Sequence, residues 1–271
     1  MSGKKSPAKL KMPGHESYAV LSTRPLHILF FLLPLIILYE LGSFFYLVDA
    51  THGVVKTIAA RSLMARFFEL FGASSLHLPA VVLVVVLLLW HWLLKDKSTI
   101  KPAVLGGMLL ESILWTMPLL VLGLLLWSQP AAVAQVDPAP ADPNIGAAAS
   151  LHQISWQARL TLSIGAGLYE ELLFRLVIIT LVHFLVADVV RQRQGAAYVC
   201  AAVISAILFG LYHDTRLPGG GADLRLLGFY VGAGLYFAVL FIFRGFGIVV
   251  GAHALFDVVT LVLIPASHGK T

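Results

Sequence analysis

The chain has a single cysteine, Cys200, among 271 residues. No intrachain disulfide framework is available to it, and cysteine usage says nothing about redox compartment. Cys200 itself reads as a small buried hydrophobe. Charge is equally scarce: Asp, Glu, Lys and Arg make up 12% of the residues, against roughly 25% in soluble domains, which excludes a large soluble core. The formal net charge of +5 does not signal a nucleic-acid partner. Lys4, Lys5, Lys9 and Lys11 crowd the N-terminus and most other basic residues flank apolar segments, as membrane topology requires. No cleavable signal peptide is evident, because the apolar run from Leu26 to Val48 is longer than an h-region and lacks a small-residue cleavage site after it; it reads as a signal anchor. No lipidation motif is present at either end, and Ser267-His268-Gly269-Lys270-Thr271 offers no cysteine to prenylate. No internal repeat is apparent.

What the chain has in abundance is apolar sequence: 59% of its residues are hydrophobic and the mean hydropathy is +0.88. The composition predicts an all-α, polytopic membrane protein with the lipid bilayer as its partner. Segments long enough to cross a hydrocarbon core of about 30 Å fall at 26–48, 76–94, 103–127, 166–187, 196–213, 226–243 and 247–264. Residues 54–72 mix Lys56, Arg61, Arg66 and Glu69 with Leu63, Met64, Phe67 and Phe68, the pattern of an amphipathic helix lying in the interface. The organisation expected is a basic tail at 1–24, N-terminal membrane helices at 25–127, an Ala/Pro-rich linker at 128–150, a helical core at 151–264 and a tail at 265–271. Seven spans with the N-terminus cytoplasmic put the N-terminal lysines, Lys95, Lys97, Lys101, Arg191, Arg193 and Arg244 on one side, as the positive-inside rule asks of a multi-pass protein of the cell membrane. One tension follows. His213 closes its span on the outer side, whereas His253 lies near the start of a span that begins inside, so a helix breaks, enters at an angle, or has a misplaced boundary.

Against this apolar background three polar clusters stand out. The first is Glu170-Glu171-Leu172-Leu173-Phe174-Arg175, the second Phe209-Gly210-Leu211-Tyr212-His213, and the third His253-Ala254-Leu255-Phe256-Asp257. A charge at bilayer depth costs at least about 2.5–3.5 kcal/mol, so such residues face a cavity or a partner. Glu171 and Arg175 are four apart and share a helix face, which suits an ion pair, leaving Glu170 turned about 100° away. His253 and Asp257 share a face in the same way, and a hydrogen bond between them would fix the imidazole tautomer. Glu40, His91, Glu111 and His183 each stand singly and read as packing or cavity residues. Gly247 with Gly251, and Gly228 with Gly232, are four apart and suit close helix approach.

Peptide hydrolysis needs a base to activate water and donors for the developing oxyanion. Glu170, His213, His253 and Asp257 could supply both, since burial tunes a carboxyl toward neutral pH. They also make a plausible zinc set, although no His-Glu-x-x-His is present. Outside hydrolysis, a membrane scaffold without catalysis and a proton-coupled transporter remain open.

In this order, on apolar helices, Glu-Glu-x-x-x-Arg, Phe-x-x-x-His and His-x-x-x-Asp resemble the CAAX-protease and bacteriocin-processing family, which includes the Ras-converting prenyl endopeptidase. The resemblance covers about residues 160–262. It implies an intramembrane glutamate-type endopeptidase that acts on a protein or peptide substrate at the membrane, without a metal cofactor. Under it, Glu170 and His213 activate water, and His253 and Asp257 bind the oxyanion. Glu171 and Arg175 hold the site together, with Phe209 packed beneath. Asp257 departs from the asparagine of the prenyl-protein enzymes; ionised, it cannot donate a hydrogen bond.

Overall fold

The computed structural model describes residues 17–47, 78–95, 98–126, 155–213, 215 and 221–264. The expected interfacial helix at 54–72, the linker at 128–150, most of the basic tail and the C-terminal tail lie outside these residues. The described elements are α1 (Tyr18–Leu21), α2 (Pro25–Tyr46), α3 (Leu78–Leu93), α4 (Pro102–Leu126), α5 (Trp156–Val189), α6 (Gln194–Tyr212), α7 (Leu224–Arg244) and α8 (Phe246–Leu263). No strand occurs among the described residues, and the fold class is the expected one. Six of these helices are long and apolar enough to span a membrane; α3 is shorter, at 16 residues.

The helix boundaries have local causes. Pro25 and Pro102 open α2 and α4, where a missing N–H costs nothing. Ser155 caps α5 by accepting from the Ala158 N–H at 3.2 Å, and Asp223 caps α7 through the Arg225 and Leu226 N–H groups at 3.0 Å. Because its cap is Ser155, α5 begins ten residues before the expected 166; Arg159, Thr161 and Ser163 dilute the hydropathy there without ending the helix. Between α7 and α8 the chain turns on Gly245 at φ 82°, a conformation that disfavours any side chain.

The layers are set by α8, which packs against α4 and α7 and, most extensively, α5, while α6 packs on α7 and α5 on α2. At Gly167 of α5 an added Cβ would sit 2.7 Å from the Ala254 backbone nitrogen of α8. This close approach brings Glu170 and His253 within reach. Gly247 and Gly251 abut Met108 and Ser112 of α4, as expected, but Gly228 and Gly232 meet no neighbour within 4 Å and face outward from α7. From α4, Ser112 and Thr116 reach the Ile248 and Ala252 carbonyls of α8 at 3.3 and 3.1 Å. Cys200 is half-buried.

Two residues expected to stand alone do not. Glu40 accepts a hydrogen bond from the Tyr169 hydroxyl at 2.9 Å. Glu111 joins a clasp: Arg244 Nη2 donates to it at 2.7 Å and Arg244 Nε also pairs with it, while the Tyr18 hydroxyl donates at 2.6 Å and Trp115 Nε1 at 3.1 Å. Their partners come from other helices or the next turn, where span-by-span reading cannot see them. Burial first, then the adjoining Glu111 carboxylate, raises the Tyr18 phenol above its ordinary pKa, so it remains a donor. Arg24, Lys101 and Arg244 fall at one end of the bundle, since the Lys101 N–H reaches His27 Nε2 at 3.4 Å and Arg244 Nη2 reaches Ser22 Oγ at 3.4 Å.

The clasp is shielded enough to matter. Arg244→Ala and Glu111→Ala should each lower stability, with a coupling free energy of about 1.5–3 kcal/mol between them, as for a hydrogen bond to a charged group. Reversible unfolding of the two single variants and the double variant in detergent checks this; additive losses would show that the pair is idle.

Candidate active site

The three polar clusters meet in the interior. Glu170, Glu171, Arg175, His253 and Asp257 are all buried, and His213 caps the end of α6 in extended backbone, φ −81° and ψ 144°. α6 ends at Tyr212, one residue before the expected 213. Glu170 Oε2 lies 3.9 Å from His213 Nε2 and 3.8 Å from His253 Nε2, so one carboxylate oxygen bridges two histidines carried on different helices.

Each imidazole has one nitrogen committed. His213 Nδ1 lies 2.8 Å from the Phe209 carbonyl; a carbonyl only accepts, so Nδ1 carries the proton. In the neutral ring Nε2 then keeps a lone pair toward Glu170. His253 Nδ1 lies 2.7 Å from Glu171 Oε1. Asp257, expected to hold this histidine, is 3.7 Å away and opposite Nε2 instead. Glu171 from α5, not Asp257 from the same helix, therefore orients His253. His253 Nε2 faces Glu170 and Asp257, so both of its nitrogens look toward carboxylates.

Glu171 has a second duty. Its Oε2 is 3.0 Å from Arg175 Nε, both side chains having no exposure. The two atoms are not aligned for a hydrogen bond, and none of the guanidinium nitrogens finds a hydrogen-bond acceptor. Charge and aromatic faces hold the cation in place of directed bonds: Arg175 Cζ lies 4.6 Å from the Phe209 ring centroid, 5.7 Å from Phe237 and 5.9 Å from Phe174.

The backbone around these groups is wound unusually. Immediately after Glu171, α5 widens into π-helical turns over Leu172–Ile179, and immediately after Asp257, α8 does the same over Val258–Leu263. Such turns cluster at functional sites. Hydroxyls attend both transitions: Ser205 donates to the Phe174 carbonyl at 2.8 Å and Thr260 to the Phe256 carbonyl at 2.9 Å, supplying side-chain partners to the backbone there.

Residues 152–259 match the family model described as type II CAAX prenyl endopeptidase Rce1-like. This core is similar to the CAAX-protease family. With six apolar helices, it makes the chain a multi-pass membrane protein. No curated protein and no solved structure matches the chain.

In this core the structure brings together the seven residues that the resemblance assigned to the site: Glu170, His213, His253, Asp257, Glu171, Arg175 and Phe209. Residues that sequence reading passed over also border the site. Tyr230 stacks on His213 with centroids 3.9 Å apart, and Phe237 stacks on His253 at 4.7 Å. Their signal was present: Leu226, Tyr230, Ala233 and Phe237 trace one apolar face of α7 at helical spacing.

Removing Glu171 strands Arg175 among aromatic rings, and breaking a buried pair costs about 3–5 kcal/mol. Glu171→Ala should therefore express poorly and melt early, with partial recovery in the double variant Glu171→Ala/Arg175→Leu. Thermal denaturation in detergent decides it; a single variant as stable as wild type rules the pairing out.

Proposed function

We propose that the protein is an intramembrane endopeptidase of the glutamate type, in which Glu170 and His213 activate a water molecule. The family match supports CAAX-type intramembrane proteolysis in general. The observation that carries the specific reading is the 3.9 Å separation of Glu170 Oε2 and His213 Nε2. That is too long for a direct hydrogen bond and the right length for a water that donates to both acceptors.

Such a water has its lone pair free to attack a scissile carbonyl. As the new C–O bond forms, Glu170 takes the proton and the carbonyl oxygen becomes an oxyanion. His253, its Nδ1–H held by Glu171 and a second proton on Nε2, donates to that oxygen from Nε2, and Asp257 beside it adds a second donor when protonated. Glu170 then returns its proton to the departing amide nitrogen, the C–N bond breaks, and carboxylate and amine products leave. General acid–base catalysis and oxyanion stabilisation are each worth about 10²–10⁴-fold and 10²–10³-fold in such reactions.

The substrate proposed is a protein or peptide at the membrane, processed during its maturation, with the enzyme in the cell membrane and its N-terminus cytoplasmic. The reading has no metal in it: Glu170 serves as the base, and no His-Glu-x-x-His is present in the sequence. A scaffold that keeps the helical core without catalysis, or a proton-coupled transporter, would use the same buried groups differently.

Glu170→Gln keeps the shape and removes the base. Hydrolysis of a farnesylated CAAX peptide by purified protein, and the pattern of new peptide termini in membranes expressing it, should fall by at least about 10²-fold with insertion and melting unchanged. Near-normal turnover by a folded Glu170→Gln protein would overturn the role. Hydrolysis should also survive exhaustive chelation, with far less than one zinc per chain by elemental analysis. Loss of activity on chelation and rescue by stoichiometric Zn²⁺ would replace this mechanism with a metal-assisted one.

A further inference from the structure

The two histidines owe their shared aim at Glu170 to a helix that carries none of the charged groups. A hydrogen bond at Nδ1 restrains one edge of an imidazole, but it tolerates a broad range of angles, so the plane of the ring is only loosely set by it. His213 follows the last helical residue of α6, and its backbone is extended. For each histidine α7 supplies the missing constraint. The Tyr230 ring lies against His213 with planes 16° apart and centroids 3.9 Å apart. The Phe237 ring lies against His253 with planes 20° apart at 4.7 Å. Tyr230 and Phe237 are seven residues apart, two turns along one helix face, or about 10.5 Å. Both rings are almost fully buried.

Between them, Gly234 allows the approach. A Cβ there would stand 3.0 Å from the Ala206 Cα of α6 and 3.2 Å from the Phe209 Cβ. The helix that carries the stacking rings is thereby pressed against the helix that carries Phe209 and His213.

We infer that Tyr230 and Phe237 are positioning residues: each clamps the plane of one histidine, so that a hydrogen bond in the ring plane and an aromatic face across it together aim both Nε2 atoms at Glu170. The two clamps share one rigid helix, so the spacing between the histidines is set by the pitch of α7. This inference rests on the peptidase reading of the site for its kinetic consequence, but not for its structural one. Misplacing a catalytic group by about 1 Å costs up to about 10²-fold in rate. The cost should fall on turnover, since neither ring supplies a reacting atom.

The test uses full-length protein in detergent with ¹³C-labelled histidine, the His213 and His253 resonances being assigned by their loss in His213→Gln and His253→Gln. A proton over an aromatic face is shifted upfield, so both ring resonances should lie upfield of unstacked histidines. Tyr230→Leu should move the His213 resonance alone downfield, Phe237→Leu that of His253 alone, and Tyr230→Phe should leave His213 in place. On a farnesylated CAAX peptide each leucine variant should lose about 10–10²-fold in kcat with little change in KM, and Tyr230→Phe should retain most of it. Resonances that do not move, or that move while kcat stays at the wild-type value, overturn the inference. If a leucine variant fails to fold, the wild-type resonances decide, and unshifted values overturn it. A folded wild type inert on this peptide counts against the peptidase reading, and the resonances alone then decide the positioning.

Discussion

One buried cation organises the interior. Arg175 has no exposure, no directed hydrogen bond from its guanidinium, and Glu171 as an ion-pair partner. Its remaining surroundings are the faces of Phe174, Phe209 and Phe237. A charge so placed is tolerable only while that shell stays closed. The same shell borders the chemistry: the Phe209 ring is 4.6 Å from His213, and Phe237 stacks on His253. Glu171 completes the coupling, giving one oxygen to Arg175 and the other to His253. The ion pair is thus the base on which the aromatic rings rest, and the rings are the base for the histidines.

The π-helical turns belong to the same arrangement. A wider turn straight after Glu171 and another straight after Asp257 release the side chains that follow from strict α-helical register. Their backbone carbonyls would be exposed to an apolar interior, where an unpaired polar group is expensive. Ser205 and Thr260 cover the Phe174 and Phe256 carbonyls. Two ordinary-looking hydroxyl residues therefore make a local departure from α-helix affordable inside a bilayer.

Much of this was legible in the residues. Apolar length located the spans to within a few positions, apart from the start of α5, where polar residues hid three helical turns ahead of 166. The Glu171–Arg175 pair was readable because four residues is a helical repeat. Periodicity also suggested that Asp257 holds His253, and there it misled: the nearer carboxylate at Nδ1 is Glu171, 82 residues away in sequence. Glu111 was misjudged for the same reason, its partner Arg244 being 133 positions distant. Spacing along one helix reports which side chains share a face, but not which helix that face meets. Gly228 and Gly232 make the converse point: they have the spacing of a packing motif and face outward. Convergence of the three clusters was anticipated through family resemblance, not through geometry.

The hydroxyls of Ser112 and Thr116 carry a consequence for how such enzymes are divided into parts. They lie on α4, outside the matched residues 152–259, yet they reach the Ile248 and Ala252 carbonyls in the helix that bears His253. The helix that presents His253 is thus stitched along one flank to a segment outside the family match. Detectable ancestry and mechanical completeness have different borders in this molecule. An evolving N-terminal half could retune the depth and tilt of His253 through two side chains, leaving every signature residue untouched.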